Sequence, residues 1–347
     1  MLLWILFFLL LSFVFFFFYL TRKKRFYVLG CLILLIFSAI RFDVGWDYPM
    51  YFTLAGGKNY EAYAMLDFHY ERMGLAIGKL LDFSNYMHNP YLFFVITSSI
   101  IVLCLSYAFF KISPRPELSL LCCFAYPHYF LDSYSTIRQW CAIAICFFAL
   151  TFLFDKRKVW YVVSVLIATL FHPSAIIFFL INLIPHKLFS RKIYVGIIIA
   201  VMSYKYILID YMLGFGGKLA YYISNKVGDG GTKISLMFLL FFIILFMIRK
   251  KVKSENFSYF LNIIFVGVLM SIILSGLGHV AFRLPIYMMM FVCFTVPLFY
   301  SAVKNKIGFY WIFCMFHVVM LVVNLVVNDT LIKNPYVPYK TIFEAFQ

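Results

Sequence analysis

Charged side chains are scarce in this chain, and acidic side chains are the scarcest. Only 13% of its 347 residues are charged, with 14 Asp or Glu against 30 Lys or Arg, while 65% are hydrophobic. A soluble domain usually carries about 25% charged residues. This composition excludes an ordinary soluble fold, and the long apolar runs are typical of membrane-spanning helices.

The sequence also lacks the spacings that indicate metals, nucleotides or nucleic acid. Its eight cysteines lie within apolar runs, without metal-ligand spacing, and indicate small buried side chains. The turn at Gly56-Gly57-Lys58 lacks the glycine spacing of a phosphate-binding loop. The net charge of +16 comes from basic residues at the ends of apolar runs, where they orient helices. We therefore expect no metal, no cofactor and no nucleic-acid partner.

The apolar runs predict an all-α polytopic membrane protein with about ten transmembrane helices in one domain, residues 1–347. The predicted spans are residues 2–20, 26–40, 91–110, 117–131, 138–154, 193–209, 234–248, 257–277, 284–303 and 307–327. Residues 159–184 are predicted to form a broken-helix hairpin, because basic residues flank both ends and Pro173 disfavours helix at His172. Such broken helices are tolerated where they line a polar cavity.

The distribution of basic residues predicts which loops face the cytoplasm. The basic turns at residues 22–25 and 249–253 are expected inside the cell. Both chain termini are then expected outside the cytoplasm. The same layout places the outer loops 41–89 and 210–233 outside, where they are predicted to contribute to a functional site.

Ionisable residues converge on the outer face in this layout. Those at outer helix ends or in outer loops are Arg41, Asp43, Asp47, Glu71, Arg138, His172 and Arg283. Ionisable groups at membrane depth are costly and are usually retained for pairing or for a substrate. Arginines bind phosphate oxygens through two parallel donors, and an Asp, Glu or His can take a proton from a sugar hydroxyl. The pattern favours an anionic, lipid-linked sugar substrate.

Simpler interpretations of these residues stay open. Arg41 and Asp43 are compatible with an interfacial ion pair, and His172 is compatible with a cap on its broken helix. Arg138 begins a helix, where the dipole opposes a cation, so it requires an anionic partner. That partner is either Asp132 or a phosphate of the ligand.

The ordered polar motifs resemble those of a known family. The string Arg41-Phe-Asp43-Val-Gly45-Trp-Asp47-Tyr48, with Tyr51 three residues on, resembles the R-x-D/E-x-G-x-D-Y-x-x-Y signature of the EpsG-type exopolysaccharide polymerases, relatives of the Wzy O-antigen polymerases. The further matching segments, in the same order, are Glu71, Ile137-Arg138-Gln139, Phe171-His172-Pro173-Ser174-Ala175, residues 283–287 and Pro338-Tyr339.

The resemblance implies a membrane glycosyltransferase of the bacterial inner (plasma) membrane, with its active site facing the periplasm or outside. It would transfer a growing glycan from undecaprenyl pyrophosphate to the non-reducing end of a lipid-linked repeat unit. The implied partners are undecaprenyl-pyrophosphate-linked oligosaccharides, membrane lipid and a chain-length regulator protein. The implied catalytic candidates are Asp47, His172, Asp43 and Glu71, with Asp47 and His172 ranked ahead. The implied substrate-binding residues are Arg138, Arg283 and Arg41 for the diphosphate, and Trp46, Tyr48, Tyr51, Gln139 and Tyr339 for the glycan.

Three other classes compete with a polymerase. An O-antigen ligase is the closest rival, because it uses the same donor. A lipid-linked oligosaccharide flippase should carry polar residues along its whole transport path, whereas here they cluster on one face. A sugar O-acetyltransferase needs access to an acyl donor from inside, and the predicted cytoplasmic loops are short and merely basic.

Overall fold

The computed structural model describes residues 1–58, 73–126, 128–214, 230–252, 254–275, 277, 280–327 and 334–346. Seven helices in this part of the chain are long and apolar enough to cross a membrane, and the strands there are only two residues long. The all-α polytopic fold class is therefore confirmed. The number of spans and the side on which each terminus lies stay predictions.

The chain divides into two compact units, one formed by Met1–Ile176 with Asn305–Gln347 and the other by Ile177–Lys304. The prediction of a single domain stays a prediction. In chain order, the first unit contains α1 (Leu2–Thr21), α2 (Lys24–Ala39), β1 (Arg41–Phe42), α3 (Tyr48–Leu54), α4 (Leu75–Tyr86), α5 (Tyr91–Ile112), α6 (Pro116–Ala125), a 3-10 helix (Phe130–Tyr134), α7 (Ile137–Phe154) and α8 (Lys158–Phe171). A 3-10 helix, Pro173–Leu183, leads into the second unit. That unit continues with α9 (Arg191–Gly214), α10 (Gly230–Ile248), a 3-10 turn (Arg249–Lys251), α11 (Glu255–Ile273), α12 (Val280–Arg283), α13 (Ile286–Met289), α14 (Val292–Thr295) and a 3-10 helix (Val296–Ala302). The chain returns to the first unit with α15 (Lys306–Val327), β2 (Lys340–Thr341) and a 3-10 helix (Ile342–Phe346).

Helix α7 is the most buried long helix of the first unit. It packs along α5 on one side and α8 on the other, and most of its side chains are buried. Only three residues connect α7 to α8, so these two packed helices run antiparallel. The start of α7 and the end of α8 therefore lie at the same end of the unit.

An aromatic core joins the two ends of the chain in the first unit. The Trp4 ring meets Phe37 edge-on at 5.3 Å and Tyr339 at 5.1 Å. The Trp4 indole N–H donates to the Tyr336 carbonyl at 2.7 Å. β1 and β2 pair antiparallel, with Arg41 opposite Thr341. These contacts hold the C-terminal segment against the residues that follow α2.

Two predicted spans differ from continuous helices. The prediction of one helix over residues 117–131 is wrong, because α6 ends at Ala125 and a separate 3-10 helix follows. Every residue of α6 is buried, so protein surrounds this short helix. The predicted span 284–303 is interrupted as well, since Pro285 and Pro297 lack the N–H that a continuous helix needs.

The predicted break within residues 159–184 lies at His172, immediately before Pro173. Helix α8 ends at Phe171, and His172 has an extended backbone with φ −153° and ψ 125°. The 3-10 helix then begins at Pro173. Whether the second arm doubles back as a hairpin stays a prediction.

The second unit is built around α11, which packs against α9, α10 and α13. The Tyr194 ring of α9 contacts Phe242 of α10 and Phe265 of α11, and its hydroxyl donates to the side chain of Asn262. A Cβ on Gly267 would lie 2.9 Å from the Cβ of Met288. Glycine therefore permits the close approach of α11 to α13.

Candidate functional site

The stretch from Arg41 to Tyr51 forms a tight loop held by two other segments. Gly45 has φ +108°, and a Cβ at this position would lie 2.1 Å from the Tyr134 carbonyl oxygen. Only glycine fits this backbone and this contact. The Gly45 N–H donates to the Pro335 carbonyl at 2.7 Å, and the Trp46 N–H donates to Ser135 Oγ at 3.0 Å. The loop is thus fixed beside the residues that lead into α7.

Arg41 is buried at the start of this loop, with 1% of its surface exposed. Its Nη1 donates to the Ser38 carbonyl at 2.6 Å and to Ser98 Oγ at 2.7 Å. Its guanidinium lies 4.4 Å from the Tyr134 ring centroid and 5.3 Å from that of Phe94. Burial lowers the pKa of Arg41, and Tyr134 opposes that effect. The structure therefore encloses this cation among aromatic rings and hydroxyls.

The charges of Asp47 and Arg138 both act on the buried phenol of Tyr51. Asp47 immediately precedes α3, and Arg138 lies in the first turn of α7. The Arg138 guanidinium donates a hydrogen bond to the Tyr51 hydroxyl, and the charge of Asp47 acts on the same phenol. Burial and Asp47 raise the pKa of Tyr51, while Arg138 lowers it, and the net shift is upward. Tyr51 is therefore a neutral phenol on which a cation and a carboxylate act in opposite directions.

A second polar group surrounds Asp132, just before α7. His128 Nδ1 lies 3.2 Å from Asp132 Oδ2, and the Tyr336 hydroxyl donates to Asp132 Oδ1 at 3.3 Å. The Tyr336 and Ser135 hydroxyls lie 3.1 Å apart. Burial lowers the pKa of His128 and Asp132 raises it, with a net upward shift. The partners of Asp132 in this group are thus His128 and Tyr336. The hydrogen-bond partner described above for Arg138 is Tyr51.

Tyr336 links these two polar groups. Burial is the largest cause that raises the pKa of Tyr336, and the charges of both Asp132 and Asp47 raise it further. Asp47 is therefore close enough to act on Tyr336 as well as on Tyr51. One connected set joins the loop, the start of α7 and the C-terminal segment.

The predicted glycan-binding aromatics differ in their exposure. The Trp46 side chain is exposed beside the polar set, with a residue exposure of 43%. Tyr48 is fully buried and stacks on Phe94 at 4.1 Å between ring centroids. Tyr339 stacks on Phe37 at 4.2 Å. Among these three, only Trp46 presents a large ring surface to a ligand.

Tyr51 and Gln139 are buried, with exposures of 1% and 4%.

Asp43, at φ +51°, lies 3.7 Å from Lys340 Nζ. This contact makes Asp43 part of an ion pair with the C-terminal strand, a different partner from the predicted Arg41.

His172 lies at the end of α8, at the same end of the unit as Arg138. Its Nδ1 is 2.6 Å from Ser174 Oγ and accepts the Ser174 backbone N–H at 3.3 Å. Because Nδ1 accepts the backbone N–H, the neutral ring carries its proton on Nε2. In this arrangement His172 acts as a cap for the following segment.

The predictions for Glu71 and Arg283 stay predictions. Glu71 lies outside the described residues. Arg283 is an exposed residue at the end of α12 in the second unit. Among the described residues, no group of three or more His, Cys, Asp or Glu is placed to hold a metal ion.

The sequence analysis missed His128, Ser135 and Tyr336. We assigned no function to His128, although its spacing of four from Asp132 was a visible signal. Tyr336 gave no signal in the sequence, because more than 200 residues separate it from its partner Asp132.

The EpsG family matches this chain over residues 24–341. Comparison with curated proteins and with solved structures gives no significant match. The family match spans the loop at Gly45, the start of α7, the break at His172 and the C-terminal segment, and it confirms the resemblance stated from the motifs. The chain therefore belongs to the EpsG family and has a polysaccharide-polymerase type of function.

Proposed function

We propose that this chain transfers a growing glycan from undecaprenyl pyrophosphate to the non-reducing end of a lipid-linked repeat unit. The reaction takes place on the outer face of the bacterial inner (plasma) membrane. The donor and acceptor are both lipid-linked oligosaccharides, and a chain-length regulator is the expected protein partner. The proposal rests on the arrangement of Arg138, Tyr51 and Asp47.

Arg138 is the proposed ligand of the donor diphosphate. Arg138 belongs to the first turn of α7, and both a guanidinium and the N–H groups at a helix N-terminus favour an anion. Tyr51 accepts a hydrogen bond from Arg138 without adding a charge, since its pKa is raised. In this proposal the phenol orients the guanidinium for contact with phosphate oxygens.

Asp47 is the proposed general base. It would take the proton from the acceptor hydroxyl as that oxygen forms a bond to the anomeric carbon of the donor sugar. The bond between the anomeric carbon and the phosphate oxygen breaks, and its electron pair leaves with undecaprenyl pyrophosphate. Arg138 stabilises the negative charge that grows on the leaving oxygen. The proposal of a shared site for base and cation is supported by their opposite electrostatic effects on the same residue, Tyr51.

The other predicted residues take supporting positions in this proposal. Trp46 offers an exposed ring to a sugar face. Arg41 positions the loop from within the core, where it contacts Ser38 and Ser98. Arg283 remains a predicted ligand of the donor diphosphate together with Arg138, and His172 remains a predicted alternative base. Asp43 and Glu71 remain alternative bases.

Chain lengthening by the purified enzyme tests the roles of Arg138 and Asp47. Arg138→Ala should slow lengthening about 100-fold or more, because one donor at a developing negative charge contributes about that factor. Asp47→Asn should slow it by roughly 100- to 10,000-fold. Arg157→Ala is the matched control, since Arg157 lies at the opposite end of α7. Wild-type lengthening by Arg138→Ala would overturn the diphosphate role.

A deletion in cells tests the proposed function against its rivals. Loss of a polymerase should leave single repeat units attached to the final acceptor. Loss of a ligase or a flippase should leave no repeat units attached. The second outcome would overturn the proposal.

A further inference from the structure

A groove of about 480 Å³ lies between α2 and α5, and Phe148 of α7 also lines it. Val28 and Leu32 form part of one wall, and Leu103 and Tyr107 form part of the other. Each of these four residues is between 44 and 53% exposed, so the groove opens on the surface of the first unit. Its volume falls within the range of about 300–1,000 Å³ that holds small ligands.

Two lysines lie at one end of this groove. Lys24 is the first residue of α2 and lines the groove, and Lys111 lies in the last turn of α5. The ammonium of Lys24 is 5.7 Å from the Phe110 ring centroid, and that of Lys111 is 5.9 Å from the Tyr107 ring centroid. Both rings line the groove. Neither lysine forms an ion pair with a carboxylate in the described part of the chain.

The carboxylate of Glu117 at this end of the unit is already engaged. Glu117 Oε1 lies 3.3 Å from Arg115 Nη1, and its Oε2 lies 3.9 Å from Arg22 Nη1. Glu117 is fully buried, so it is withdrawn from the surface on which the lysines lie. The lysines therefore give one end of the apolar groove a positively charged surface.

This end of the groove is remote from the candidate catalytic site. Arg138 lies in the first turn of α7, whereas Phe148 lies about 15 Å further along the same helix axis. Lys24 and Lys111 lie beyond Phe148 in the same direction, at the end that is predicted to face the cytoplasm. A ligand with its charge on these lysines therefore cannot place that charge beside Arg138.

We propose that the groove is a binding site for one anionic phospholipid. Its phosphate would lie between Lys24 and Lys111, and one acyl chain would lie along Val28, Leu32 and Leu103. An acyl chain matches the apolar walls, and a negative head group matches the two ammonium groups. Basic pockets between transmembrane helices on the cytoplasmic side bind anionic head groups for this reason.

Native mass spectrometry of the full-length purified protein tests the role of charge. The protein is titrated with dioleoyl phosphatidylglycerol and with dioleoyl phosphatidylcholine, which share their acyl chains and differ in net charge. We expect phosphatidylglycerol to be retained in preference. The double variant Lys24→Gln/Lys111→Gln should weaken its retention by roughly 25-fold, since each lysine near an anionic lipid contributes about fivefold. The control Lys156→Gln/Lys158→Gln removes the same charge from the turn after α7 and the first residue of α8 and should retain the lipid.

A second variant tests the groove itself. Leu103→Trp should fill the channel and abolish the preference for phosphatidylglycerol. Val95→Trp is the matched control, because Val95 is 40% exposed on the same helix and does not line the groove. Equal thermal unfolding midpoints for the two variants establish that Leu103→Trp is folded.

Three results of these experiments would overturn the proposal, and a competition experiment adds a fourth. They are equal retention of the two phospholipids by the wild type, equal loss in the two lysine double variants, and full retention by Leu103→Trp. In the competition experiment, a polyprenyl phosphate is added at a concentration equal to that of phosphatidylglycerol. Loss of bound phosphatidylglycerol under this condition would assign the groove to the substrate lipid and would also overturn the proposal.

Discussion

Arg41 lies against the ring of Tyr134, with the guanidinium carbon 4.4 Å from the ring centroid. The Tyr134 hydroxyl in turn donates to Ser38 Oγ at 3.0 Å, and the Ser38 carbonyl accepts from Arg41. Arg41 thus closes a small buried network that joins the end of α2 to the residues before α7. In this network the arginine acts as a structural cation.

Replacing Arg41 should lower the free energy of unfolding, because Arg41 stabilises the fold. Replacing a residue that only contacts the substrate would leave that free energy nearly unchanged. Arg41→Ala removes two hydrogen bonds and a desolvated cation-ring contact, and we expect a loss of about 3 kcal/mol in the free energy of unfolding. Ser98→Ala removes one partner of the network and should cost about 1 kcal/mol. Thermal unfolding of the purified protein measures both. An Arg41→Ala variant with wild-type stability but no activity would instead assign Arg41 to the substrate.

Gly45 should tolerate no side chain. Gly45→Ala places a Cβ 2.1 Å from a backbone oxygen and at φ +108°, and the backbone conformation alone costs about 1–2 kcal/mol. We expect a loss of at least about 2 kcal/mol and a displaced Asp47 with greatly reduced chain lengthening. Gly196→Ala is the control, because no atom lies within 4 Å of its added Cβ and alanine is favoured by about 0.5–1 kcal/mol within a helix. A Gly45→Ala variant as stable as Gly196→Ala would contradict this account of the loop.

The pair of His128 and Asp132 should make stability depend on pH. The folded protein raises the pKa of His128, so it favours the protonated ring relative to the unfolded chain. Its contribution is fully present below the unfolded pKa of about 6.5 and is lost as pH rises through the raised folded pKa. Unfolding midpoints measured from pH 5.5 to 8.5 should therefore fall with rising pH by more in the wild type than in His128→Gln. Equal pH profiles for the two proteins would contradict the described pairing.

Trp46 should contribute to substrate binding and little to stability. Its side chain is exposed, and the N–H that anchors the loop belongs to its backbone. Trp46→Ala should change the free energy of unfolding by less than about 0.5 kcal/mol. It should raise the KM for the lipid-linked acceptor about 3- to 10-fold, as expected for the loss of a ring contact of about 0.5–1.5 kcal/mol. Trp160→Ala, exposed in the first turn of α8, should leave KM unchanged, and an equal effect of the two variants would argue against a sugar contact.

Hydrophobicity alone made the fold class predictable. The long apolar runs at residues 2–20, 91–110 and 138–154 became α1, α5 and α7, because backbone groups in lipid must be satisfied within each helix. The break at His172 was also predictable, since Pro173 restricts the residue before it. These are local effects that act between neighbours in the chain.

Helix continuity was less predictable where protein replaces lipid. Residues 117–131 form a helix that stops at Ala125, because every residue of α6 is buried among other elements and no bilayer thickness sets its length. An apolar run in the sequence indicates that a segment is removed from water. It does not indicate whether lipid or protein surrounds that segment.

The sequence by itself determined the membrane class, the family motif and the position of the helix break. It could rank Arg41, Asp43 and Asp47 only by residue type, since all three carry the charge that the chemistry needs. The tertiary structure enclosed Arg41 between aromatic rings, paired Asp43 with Lys340 and brought Tyr51 under the charges of Arg138 and Asp47. It also brought Tyr336 to Asp132. Burial and long-range partners decide whether a charge supports the fold or faces a ligand, and neither is encoded by spacing along the chain.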